Sequence, residues 1–237
     1  MNAVARPDAR PDLDRPGVGA VLVSTWRVGT PERQRAVVEA IRKAWESRAW
    51  PDLGLLSYSV LAGTDGETLL HYSQWTEQRA YDDFVRTHRD DRNAEIDAAV
   101  PGSERVELRR YGAVHRSTPR RATGTGELPG VVVIVEADFE PSGAGVREEW
   151  VDRVFDALDE DAVTRPVSGG ISGRFHLSAD GCRVLDYAEW ESERAHEKWL
   201  ADDAPLSEAW ARVHHHPALV GGRVRRYAPA LSLSAGA

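Results

Sequence analysis

The spacing of apolar positions changes along the chain in a fixed order, and it does so twice. Residues 19 to 27 open with a Val-rich run of strand length, and Thr30-Pro31-Glu32 behind it has the form of a helix start with proline in the first turn. Val37, Val38, Ile41, Ala44 and Trp45 then recur at helical spacing. Two strand-like runs follow, joined at Asp65-Gly66, a pair that favours the positive φ of a tight hairpin turn. Behind Trp75 a second helix is predicted through Ala80, Tyr81 and Phe84, and a last strand ends at Arg109-Arg110-Tyr111. The same series returns from Gly130 to Ile134, from Val146 to Leu158, at Asp180-Gly181, from Ala195 to Leu200, and at Arg225-Arg226-Tyr227.

These two series are an internal repeat. GLLSYSVLAGTDGETLLHYSQWTEQRAYDDF from Gly54 aligns without a gap on GGISGRFHLSADGCRVLDYAEWESERAHEKW from Gly169, at an offset of 115 residues. Identical pairs include Gly54/Gly169, Ser57/Ser172, Asp65/Asp180, Gly66/Gly181, Tyr72/Tyr187, Trp75/Trp190 and Arg79/Arg194. A period this long is one structural unit used twice. The order strand, helix, strand, strand, helix, strand predicts an α+β fold: two tandem ferredoxin-like repeats, each an antiparallel sheet with both helices on one face. The bare sheet faces require cover, so the two sheets are expected to pack together within the chain. The expected organisation is a disordered N-terminus over residues 1–18, a first repeat over 19–114, a linker over 115–129, a second repeat over 130–230 and a tail over 231–237.

Composition removes several function classes. Thirty basic against 38 acidic side chains give a formal charge of −8, opposite to what a polyanion binder needs, so no nucleic-acid partner is expected. No apolar run is long enough to span a bilayer and no leader-like core opens the chain, so no membrane partner and a cytoplasmic location are expected. The single cysteine, Cys182, excludes an internal disulfide and any zinc site on paired thiolates. His214-His215-His216 stand about 100° apart on a helix and precede Pro217, so no metal site is expected there. The run from Gly124 to Gly130 has the glycines of a phosphate loop but precedes a strand instead of following one, and reads as linker.

The chain resembles the antibiotic biosynthesis monooxygenases of the dimeric α/β-barrel superfamily, here as a tandem duplication. The resemblance covers most of residues 19 to 230, and its most specific element is a Trp ending the third strand with a Tyr six residues later, Trp75 and Tyr81. It implies an intramolecular dimeric α/β-barrel, a monomer with an internal pseudo-dimer, with further pairing of the tandem unit left open. In members that oxidise aromatic polyketides, this Trp and an Asn four residues before it face a pocket under the helices, with the Tyr opposite. Here the Asn position is His71; the second repeat keeps Trp190 and holds Asp186 and His196 at the other two positions. The family's later helix Arg corresponds to the region of Glu95 and Trp210, and positions where haem-degrading relatives place a ligand are Val85 and Leu200.

Strand alternation places His71 and Trp75 on one face, an imidazole beside a wide ring. That pair is suited to deprotonating a phenol or an activated methylene at neutral pH. Together with the positions that the resemblance implies, this makes His71 and Tyr81 the candidate catalytic residues, and Trp75, Trp190, Asp186 and His196 the candidate substrate-binding residues. The expected activity is an oxidoreductase, a cofactor-independent monooxygenase turning an anthrone- or hydroquinone-type polyketide into a quinone with dioxygen. The expected partners are thus a small aromatic substrate and dioxygen, without a cofactor. A polyketide cyclase on the same scaffold and a non-catalytic small-ligand binding protein are the alternatives.

Overall fold

The computed structural model describes residues 2–6, 8–120, 128–141, 145–163, 166–201 and 207–236. The chain divides into two compact units, Met1–Ala113 together with Tyr227–Ala237, and Val114–Arg226. Both are α+β, and the two tandem ferredoxin-like repeats are those the periodicity predicts.

The first unit is built from β2 (Ala20–Arg27), α1 (Pro31–Glu46), β3 (Leu55–Gly63), β4 (Thr68–Trp75), α2 (Gln78–Phe84), a π-helical turn (Val85–Arg89), α3 (Asp90–Ala99) and β5, which starts at Glu104 and runs to Ser117. Thr30 caps α1, its hydroxyl accepting from the Arg33 amide at 3.2 Å, with Pro31 in the first turn where no amide is needed. The hairpin between β3 and β4 turns at Gly66, φ +76°, and Asp65 Oδ1 accepts from the amides of Glu67 and Thr68. β4 lies between β3 and β2, all antiparallel, and β5 flanks β2. One sheet face buries Leu22, Trp26, Val60, Leu69 and Trp75 against Val37, Ile41, Ala44 and Trp45 of α1 and Tyr81, Phe84 and Ile96 of the second helical segment.

Three segments placed outside the repeats differ from expectation. Residues 1–18 hold β1 (Ala3–Ala5), which pairs with the end of β9 (Leu219–Ala235). The tail expected over 231–237 is the part of β9 that pairs with β3, with Leu231 and Leu233 in the core and Ser232 Oγ 2.8 Å from Ser59 Oγ. The strand β5 extends to Ser117, inside the expected linker, and residues 121–127, with most of the glycine-rich run, lie outside the described residues. In each case the order comes from pairing with strands remote in sequence, which the local pattern does not announce.

The second unit repeats the plan with β6 (Val131–Phe139), α4 (Val146–Glu160), β7 (Gly170–Ser178), β8 (Arg183–Trp190), α5 (Glu193–Leu200) and α6 (Glu208–His214). β8 is the middle strand, antiparallel to both β6 and β7. Its core gathers Phe139, Trp150, Val154, Phe155, Phe175, Val184 and Val213, with Val131, Val133 and Trp190 in a separate cluster. Among the described residues no helix is long and apolar enough to cross a membrane.

Candidate active site

In the first unit a cavity of about 290 Å³ opens between the sheet and its helices. Alternation on β4 sends His71, Ser73 and Trp75 into it, and alternation on β2 sends Leu22, Ser24 and Trp26. Tyr58 enters from β3, Trp45 from α1, Tyr81 and Phe84 from α2, Arg92 and Ile96 from α3, and Arg105 from β5. Aromatic rings form much of the wall. Trp75 and Tyr81 meet edge to face at 5.4 Å, Trp45 stacks on Tyr58 at 4.7 Å, and Trp26 lies 4.3 Å from the His71 ring. Trp75 is fixed by its indole N–H, which donates to Ser73 Oγ at 2.8 Å.

His71 is 4% exposed and joined through Nδ1 to the Tyr58 hydroxyl at 2.6 Å. Burial, and secondarily the Arg105 charge, push its pKa down to about 3, while burial drives the Tyr58 phenol well above its ordinary value. Both groups are therefore neutral at pH 7, and the imidazole is not the near-neutral base that the unperturbed value implies. A phenol O–H is a stronger donor than an imidazole N–H, so Tyr58 donates to Nδ1 and the imidazole proton resides on Nε2. Nε2 is buried and has no hydrogen-bond partner in the protein. Tyr81 is 8% exposed, with the Arg110 guanidinium 5.5 Å over its ring.

Sequence reasoning missed the charged part of this wall. Glu95, at the expected position of the later helix Arg, is occupied by an ion pair with Arg48. The guanidinium in the cavity is Arg92, 3% exposed, with its centre 4.6 Å over the Trp45 ring and donating to the carbonyls of His88 and Ala49. Arg92 stands eleven residues after Tyr81, about three helical turns, and that spacing could have flagged it. The π turn could not be read from the sequence; such turns widen a helix locally and gather at functional sites, and this one ends at Arg89, a further residue of the cavity wall.

In the second unit Trp190, Asp186 and His196 occupy the matching positions but make different contacts. His196 lies edge-on to Trp190 at 4.8 Å, and its Nδ1 accepts from Arg226 Nε at 3.0 Å; burial and that guanidinium push its pKa down to about 4. Asp186 has its pKa pushed up to about 7 by burial, against the opposing effect of the Arg174 amide and charge. Its Oδ1 has no hydrogen-bond partner. His216 packs edge-on against Phe139 and accepts from the Ala218 amide, while His215 Nδ1 lies 2.9 Å from the Ala211 carbonyl.

Solved structures share this fold across the whole tandem chain. An anthrone oxidase-like protein is 19% identical, with 99% of this chain covering 97% of it at a TM-score of 0.67. A protein assigned as a monooxygenase from Lactobacillus acidophilus is 10% identical, with 90% of this chain covering 95% of it at a TM-score of 0.54. Another so assigned, from Fusobacterium nucleatum, is 9% identical, with 94% of this chain covering 98% of it at 0.56. No family model and no curated protein matches the sequence.

Proposed function

We propose that this chain, which shares its fold with an anthrone oxidase-like protein and with proteins assigned as monooxygenases, is a cofactor-independent monooxygenase oxidising an anthrone- or hydroquinone-type aromatic polyketide to a quinone with dioxygen. The observation that carries the reading is the aromatic-walled cavity beside Trp75, with the partnerless Nε2 of a neutral His71 in its wall. A planar substrate would lie against Trp75 and Trp26, as flat rings do on indoles. The similarity to an anthrone oxidase-like fold agrees with that substrate class.

The chemistry follows from what the cavity can stabilise. An anthrone loses a methylene proton to water and becomes an enolate, and His71 Nε2–H with the Tyr81 hydroxyl would donate to its oxygen. A neutral imidazole N–H is well matched to a developing oxyanion, the pattern known where a histidine's pKa is held low. The carbanion carbon then gives electrons to dioxygen and forms a C–O bond. Cleavage of the O–O bond leaves the new carbonyl on the ring and releases the second oxygen atom as water. The substrate supplies all the electrons, and the walls keep bulk water from the carbanion.

Oxygen uptake with anthrone, measured in chelator-treated protein, tests this. One dioxygen should be consumed per quinone formed, and His71→Ala and Tyr81→Phe should each lower kcat about 100-fold, the order expected for loss of one oxyanion donor. Unchanged rates in both variants would remove the mechanism, and ring closure of a polyketide without oxygen uptake would make the protein a cyclase.

A further inference from the structure

Arg92 is not explained by the oxidation chemistry above. It is a guanidinium 3% exposed, in the cavity wall, with its Nε buried and lacking any hydrogen-bond partner, and no carboxylate pairs with it among the described residues. Its two hydrogen bonds, to the carbonyls of His88 and Ala49, use two of the five N–H groups that an arginine carries. The face of Trp45 adds cation–π attraction. Holding an unpaired charge away from water costs more than the ring and the two carbonyls return. Of the nearby acidic groups, Glu95 is paired with Arg48 and Glu107 of the cavity wall with Arg109 Nε at 2.7 Å, while Asp91 adds an opposing charge but makes no ion pair with Arg92 among the described residues.

Two further guanidiniums in the wall act in the same direction, with Glu107 the one carboxylate of the lining against them. Arg89 and Arg105 also line the cavity. Arg105 is paired with Asp97 at 2.7 Å, and Arg89 with Asp90, whose side chain is 81% exposed and so only weakly offsets it. A chain of net charge −8 thus encloses a cavity with cationic lining, the local arrangement that attracts an anion.

We infer that the ligand of this cavity is an aromatic acid, its ring between the indole walls and its carboxylate on the Arg92 guanidinium, with Arg89 and Arg105 adding to the field. The inference rests on the reading of the cavity as an aromatic-substrate site and names the class of substrate within it. A guanidinium fork is shaped for a planar carboxylate, and the pairing satisfies the buried Nε–H. Arg92 is then a specificity-determining residue: it selects acidic polyketides over neutral ones of the same ring system.

Isothermal titration calorimetry of the full chain with 2-naphthoate and its neutral analogue 2-naphthamide tests this without turnover. Naphthoate should bind at least tenfold more tightly, the preference should vanish in Arg92→Gln, and Arg92→Lys should retain part of it. Equal binding of the two probes to the unmodified protein overturns the acid preference whatever the variants do. Retention of the full preference in a folded Arg92→Gln protein overturns the assignment to Arg92. Equal binding together with intact oxygen uptake on anthrone removes only this inference. Failure of both probes to bind removes the aromatic cavity beneath it as well.

Discussion

The two repeats have the same frame and different furnishings. Gly54 and Gly169 adopt φ of +84° and +83°, and a Cβ on them would lie 2.2 Å from Thr76 Oγ1 and 2.6 Å from Ala195 Cβ. Their carbonyls accept from the amides of Thr76 and Glu191, each at 2.8 Å. Ser57 bonds Gln74 across one strand pair, and Ser172 bonds Glu189 across the other. The walls diverge at equivalent positions. His71 becomes Asp186 and its partner Tyr58 becomes Gly173, while Trp26, paired with Leu69, is matched by Ala137, paired with Val184. The two turn glycines and the Trp that ends the strand are the same in both repeats, while most of the other side chains around that Trp differ. Fold and function are therefore specified by different positions.

The sharpest way to break this comparison is to make matched changes in both halves. Tyr58→Phe removes the group that orients His71 and should lower anthrone turnover about tenfold, whereas Asp186→Asn should leave it within twofold. The oxygen electrode reads both. A large loss on changing Asp186 would transfer the chemistry to the second repeat.

The equivalent pair His71 and Asp186 should also respond to pH in opposite senses. His71 is neutral in the folded protein, its pKa pushed down to about 3, so the unfolded chain takes up a proton below about 6.5 and stability is lost as the pH falls through that range. Over pH 7 to 5 this is worth about 2 kcal/mol. Asp186, pushed up to about 7, keeps its proton in the folded state, so its contribution is present near pH 4 and is lost as the pH rises toward 7. Urea unfolding should therefore show that His71→Gln reduces the acid-side loss by about that amount, His196 with its lowered pKa retaining a loss of the same sign, while Asp186→Asn steepens the gain between pH 5 and 7. A His71→Gln protein with the slope of the parent would mean that His71 is charged in the folded state.

Much of this was legible in the sequence, for identifiable reasons. Helices and hairpins announce themselves through period, capping residues and Asp-Gly turns; alternation on β4 placed His71 and Trp75 on one face, and the family resemblance implied Tyr81 opposite them. What was missed depends on partners remote in sequence. The segment Leu231-Ser232-Leu233 does alternate, but its order comes from pairing with β3, which no local pattern reports. Arg92 was hidden because a straight comparison placed the later helix Arg near Glu95, and the cavity guanidinium stands three residues earlier. The pKa of His71 is set by the burial of its whole surroundings, which residue identity does not encode.

The smallest expected effect concerns the frame itself, at the start of the second helix in each repeat. Ser192 caps α5, its hydroxyl accepting from the Ala195 amide at 3.1 Å with φ −162° and ψ 161°. Glu77 holds the same place before α2 with φ −160° and ψ 166°, yet its longer side chain makes no cap hydrogen bond. Because the backbone is already in the capping conformation, a side chain one methylene shorter can reach the free amide and keep its negative charge at the helix N-terminus. Glu77→Asp should therefore stabilise the protein by about 0.5 to 1 kcal/mol, while Ser192→Ala should cost about 1 kcal/mol. Thermal unfolding should register these as shifts of a few degrees in opposite directions. If Glu77→Asp lowers the Tm, the frames of the two repeats differ at this turn, and their correspondence ends before the helix begins.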